Sequence, residues 1–176
     1  MPDLVIRFKK NRDGSAALTC VRRDGSSTWQ RQEGKLGAVF PPHDLTHYAV
    51  ESALGYSRGF YGLIAEGWEI SDFASPWPNG QPGEEARQVE MVVSFFDMDR
   101  TQGTTASVAE FNARAASYAD SRSGDARSPK LRLLTADEIE RVRSLRAEVL
   151  SRWADVPPGG TLELNFDGHV SRQPPK

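Results

Sequence analysis

One cysteine among 176 residues excludes an internal disulfide and any metal site built from several thiolates. Cys20 lies in Leu18-Thr19-Cys20-Val21, which alternates as a strand does, so a small buried apolar residue is its expected role. No apolar run approaches the roughly 18 residues that a membrane-spanning helix needs. The opening Met1-Pro2-Asp3-Leu4-Val5-Ile6-Arg7-Phe8 is too short and interrupted for the apolar region of a signal peptide, and a cytoplasmic protein is expected. An excess of positive charge is also missing. With 22 Lys and Arg against 24 Asp and Glu, the net charge is −2, which offers no basic field to a nucleic-acid backbone. No glycine-rich loop has Walker or dinucleotide spacing, and no internal repeat is present.

What is present reads as one α+β domain over residues 1–170 with a disordered polar tail over 171–176. Leu4, Ile6 and Phe8 alternate with Val5, Arg7 and Lys9, the period of a half-buried strand. Asp13-Gly14 and Asp24-Gly25 supply two turns, so strands near 4–10, 16–22 and 27–32 form a meander. Thr161-Leu162-Glu163-Leu164-Asn165-Phe166 alternates again and is expected to join that small antiparallel sheet. Four or five helices pack against it. They are expected over about 43–54, entered through Pro41-Pro42 and closed near Gly55, then over 58–68, from Glu84 to about Phe96, over 104–119, and from Thr135 onward. A strand is the alternative for Val89–Phe95. Thr135 with Glu138 has the spacing of a capping box. Arg141, Arg143, Arg146 and Glu148 make the last helix's solvated face. Asp120–Lys130 is polar and expected to be mobile, and Ser75–Gly83, with three prolines, must be a loop.

Chemistry concentrates in His43-Asp44-Leu45-Thr46-His47, followed by Glu51. On a helix His43, His47 and Glu51 recur at i, i+4 and i+8 with Asp44 beside them, while Leu45, Ala49 and Ala53 fill the opposite stripe. Two imidazoles one turn apart can chelate a single divalent ion, zinc foremost. Glu51 or Glu66 would add a ligand. Glu66 sits in the apolar string Gly62-Leu63-Ile64-Ala65-Glu66-Gly67-Trp68, where a carboxylate needs a partner. Asp72 and His169 lie further off.

The five residues His43–His47 resemble the His-Glu-x-x-His helix of zinc metalloproteases, with Asp44 in the place of the glutamate. The resemblance implies His43 and His47 as ligands and Asp44 as the general base acting on water at the zinc. The first expectation is therefore a metal-binding protein acting as a small metal-dependent hydrolase on a small molecule or peptide. The second is a non-catalytic interaction domain whose histidine helix is structural and whose protein partner docks near the Trp77 loop. In that case Asp44 caps the helix, His43 falls outside it, His47 bonds Asp44 or Glu51, and Glu66 pairs with Arg58 or Arg87. A third is metal-free acid–base catalysis by His47 with Asp44 or Glu51.

Overall fold

The computed structural model describes residues 1–121, 124 and 128–168; His169 and the expected tail over 171–176 lie outside them, as do 122, 123 and 125–127 of the segment expected to be mobile. The two Asp-Gly turns fold back as the alternation predicts. β1 (Leu4–Lys10), β2 (Ala16–Arg22) and β3 (Ser27–Gln32) form an antiparallel meander. Gly14 and Gly25 turn at φ 83° and 85°, which glycine adopts without a Cβ penalty. β4 (Thr161–Phe166) pairs antiparallel with β1, giving the order β3-β2-β1-β4. The register sets Ile6 between Cys20 and Leu164, and Phe8 between Leu18 and Leu162. All six are buried, and each large apolar side chain among them contributes about 1.5–3 kcal/mol.

The helical elements are α1 (Leu36–Leu54), α2 (Phe60–Ala65), a 3-10 turn at Ile70–Phe73, α3 (Glu84–Gln102), α4 (Val108–Ser121) and α5 (Ala136–Asp155). α1, α2, the 3-10 turn and α5 share a core with this face, while α3 and α4 share a second core with α1 and α5. Among the described residues the fold is α+β, five helices with a four-stranded antiparallel sheet.

Several boundaries differ from the sequence reading for physical reasons. α1 starts at Leu36, not near 43, and runs through Pro41 and Pro42. The prolines remove two amide donors, but the entry to the helix is held by i→i−3 bonds that need neither. These run from the amides of Leu36, Gly37 and Ala38 to the carbonyls of Glu33, Gly34 and Lys35 at 3.1, 3.2 and 3.2 Å. Asp44 is consequently inside the helix and is not its cap. α2 stops at Ala65 because Arg22 of β2 donates to the carbonyls of Ile64 and Trp68 at 2.7 and 2.5 Å, replacing a further turn. α3 is helical throughout and longer than expected, ending at Gly103 with φ 63°. α4 starts at Val108, where Ser107 and Glu110 exchange capping bonds of 2.7 and 3.2 Å. The Thr135–Glu138 capping box of α5 forms as expected.

The consequence that matters for function is the burial of α1. It lies between two apolar clusters: Leu45 faces Ile6, Phe8 and Leu164, while Ala49 and Val50 face Val89, Val93, Phe96 and Ile139. Asp44, Thr46, His47 and Glu51 are therefore buried too, and each must find polar partners. The charged face of α5 is not simply solvated. Arg146 turns inward to the Thr46 hydroxyl at 2.9 Å, and Arg143 donates to the Ala106 carbonyl.

Candidate metal centre

Helical spacing brings the two histidines together as expected, with ring centroids 4.9 Å apart. Their partners come from α3. Glu90 Oε2 lies 3.0 Å from His47 Nε2, and Glu90 Oε1 lies 3.9 Å from His43 Nε2. One donor atom from each of His43, His47 and Glu90 falls within 4.8 Å of the others, and this is the one such group of three or more among the described residues. Zinc bonds of about 2.0–2.1 Å set tetrahedral donors roughly 3.3 Å apart, so binding requires a closure of roughly 1.5 Å at the widest point. Glu90, with its side chain 54% exposed, is free to supply it.

The far side of each ring faces a second carboxylate. His43 Nδ1 meets Asp97 Oδ2 at 2.8 Å. Asp97 in turn is held by Arg100, Arg146 and the Thr46 hydroxyl at 3.3, 3.4 and 3.3 Å. His47 Nδ1 faces Glu51 Oε1 at 3.4 Å, an ion-pair contact without an aligned hydrogen bond. Both imidazoles thus turn Nδ1 to a carboxylate and Nε2 to Glu90; His43 makes the hydrogen bond that fixes tautomer and basicity in histidine metal sites, while His47 makes the looser contact with Glu51.

Glu51 is fully enclosed. Its carboxylate accepts the amides of Phe60, Tyr61 and Gly62 at 3.0, 3.0 and 3.2 Å, closing the N-terminus of α2 with a negative charge at the positive end of the helix. Close approach is needed there: a Cβ on Gly59 would lie 2.5 Å from Glu51 Cδ. Glu66 sits elsewhere, paired with Arg58 at 3.1 Å at the C-terminal end of α2. Asp72 accepts the Glu69 amide at 2.8 Å and Asn79 at 2.6 Å, capping the 3-10 turn. Glu90, the carboxylate that does join the histidines, was not singled out in the sequence. Its signal is its position beside Val89 and seven residues before Asp97, which puts two carboxylates along one edge of the apolar stripe of α3.

Electrostatics couple these groups. Burial disfavours a charged His47, but the carboxylates of Glu51 and Glu90 outweigh it and push the ring up to about 10. Its hydrogen bond holds Glu90 below the usual carboxylate range. Asp97 is also held low, because His43 and Arg100 overcome the effect of burial. Asp44 is pushed up to about 6 by burial, against a single 2.9 Å hydrogen bond from Gln32 and the nearby histidines.

His43, Asp44, His47 and Glu90 line a cleft of about 670 Å³. Its walls are aromatic: Phe60 packs on His47 at 5.4 Å between centroids and on Phe73 at 4.7 Å, and Trp77 of the proline loop lines the same space. No helix among the described residues is long and apolar enough to cross a membrane. No family model matches the chain, and no curated protein or solved structure matches it either.

Proposed function

We propose that this protein binds a divalent metal ion, zinc by its donor chemistry, through His43, His47 and Glu90, and that it acts as a small metal-dependent hydrolase. The observation that carries the proposal is the paired orientation of the rings, with Nδ1 against Asp97 or Glu51 and Nε2 towards Glu90. Two imidazoles and one carboxylate suit catalytic zinc, which when bound would act as a Lewis acid and make water more acidic. Asp44 lines the same cleft, and its role is to accept the proton of the attacking water and pass it to the leaving group. Glu51 orients His47, and Glu66 takes no part. The substrate is a small molecule or short peptide that fits the aromatic-walled cleft.

Equilibrium dialysis against zinc tests the site. One equivalent should bind to the wild type and none to Glu90→Ala or His47→Ala at the same free metal. Failure of zinc, nickel and manganese alike to bind the wild type would overturn the proposal.

One observation favours a non-catalytic reading. The direct 3.0 Å contact of His47 with Glu90, and the displacement of His47 to about 10, describe a buried imidazolium clamped between two carboxylates. There the proton occupies the place assigned above to the metal, His43→Ala and His47→Ala alter stability alone, and the cleft around Trp77 receives a protein segment.

A further inference from the structure

We infer that the cleft receives a small molecule with an apolar, ring-sized body and one free carboxylate, and that Arg87 holds that carboxylate. The inference deepens the metal-hydrolase proposal and rests on it for the orientation of the bound molecule.

Arg87 is the one Lys or Arg among the described residues lining the cleft. It lies on α3 one turn before Glu90, so the two side chains share a face. Helical neighbours of opposite charge at that spacing commonly pair, yet Glu90 turns to His47 and Arg87 makes no ion pair with any described residue. Arg87 Nη1 donates to the Pro82 carbonyl at 2.5 Å. Its Nε is buried and has no hydrogen-bond partner among the described residues. That atom is enclosed, so a ligand in the cleft would meet the guanidinium at its Nη edge, where a carboxylate accepts two N–H bonds at once in the planar fork geometry of arginine.

The remainder of the cleft fits the rest of such a molecule. Phe60, Phe73, Trp77 and Met91 present apolar surface, and about 670 Å³ lies within the range of small-molecule sites. Asp44 and Glu90 line the cleft as well, so a second carboxylate on the ligand would meet negative charge there. An N-acylated amino acid places a ring-sized acyl group, a hydrolysable amide and a carboxylate in that order, and a short peptide's C-terminal end offers the same chemistry.

Calorimetric titration of wild type with N-benzoylglycine and with its neutral amide tests this, zinc content being measured on the same samples. The acid should bind at least about tenfold more tightly than the amide, as a charge-assisted pair implies. Arg87→Gln should abolish the preference with zinc content unchanged, and Arg87→Lys, which keeps the charge, should retain part of it. Benzoyl-triglycine distinguishes the sources: tighter binding than N-benzoylglycine assigns a peptide, weaker binding an acylated amino acid. Equal affinity for acid and amide would overturn the inference, as would a preference that survives Arg87→Gln. Repetition on chelated protein separates the two proposals, because the Arg87 pair needs no ion. A preference seen only with zinc and indifferent to Arg87 would place the carboxylate on the metal and overturn the inference. Absence of zinc uptake with the preference intact would instead overturn the metal proposal.

Discussion

Replacing Glu51 by alanine would remove the acceptor of three backbone amides at once, those of Phe60, Tyr61 and Gly62. Each buried amide left without a partner costs about 1–3 kcal/mol. Water entering the vacated space recovers part of this, so the expected loss is about 3–5 kcal/mol, roughly a fifth or more of the total for a typical domain. Glu51→Gln keeps one acceptor oxygen and should cost about 1–3 kcal/mol. Urea denaturation of chelated protein, followed by tryptophan fluorescence, measures both. The same variants separate orientation from ligation. If Glu51 only orients His47, folded Glu51→Gln should still bind one equivalent of zinc, at about 10–100-fold lower affinity. A loss below about 1 kcal/mol in Glu51→Ala would refute the capping role. A folded Glu51→Gln that takes up no zinc at saturating metal would show Glu51 to be a ligand.

Asp44 gives a pH signature. Its carboxyl is raised from 3.8 to about 6, so the folded state holds this proton more tightly than the unfolded chain. The associated stability is fully present below about pH 3.8 and lost as pH rises through about 6. Chelated Asp44→Asn, which keeps an acceptor for Gln32, should exceed wild type by about 1–3 kcal/mol at neutral pH. The difference should vanish in acid, and an equal difference at both pH values would contradict this origin. Gly62→Ala puts a Cβ 1.9 Å from the Ser57 carbonyl oxygen, and denaturation should show a loss of about 2–3 kcal/mol. Arg146→Met frees Asp97 from one of its anchors and should weaken zinc binding about tenfold in a competition titration, with stoichiometry unchanged.

Much of the frame was legible in the sequence because it depends on local rules. The alternation of Leu4, Ile6 and Phe8, the Asp-Gly turns and the Thr135–Glu138 box each form as their spacing predicts. The histidine pair was legible for the same reason. The entry of α1 was not. Pro41-Pro42 reads as a first turn, and only the packing shows otherwise: a Cβ on Gly37 would lie 2.8 Å from the Gln32 carbonyl, so the helix entry sits tightly against the end of β3. Glu90 was hidden because it reaches the histidines from another helix, 43 residues beyond His47. Glu66, which reads as a partly buried carboxylate in need of a partner, is exposed at a helix end, and its pairing with Arg58 is one that the structural reading named. Arg146 reads as solvated because its direction depends on α1 lying beneath it.

The central claim is that His43, His47 and Glu90 hold a metal ion. It is tested most directly by plasma mass spectrometry of protein purified without chelators and without a nickel column, comparing wild type with His43→Ala/His47→Ala. The account predicts close to one equivalent of metal in the wild type and a background level in the variant. No metal in either, even after titration with zinc, would contradict it and leave the His47–Glu90 contact as a structural ion pair.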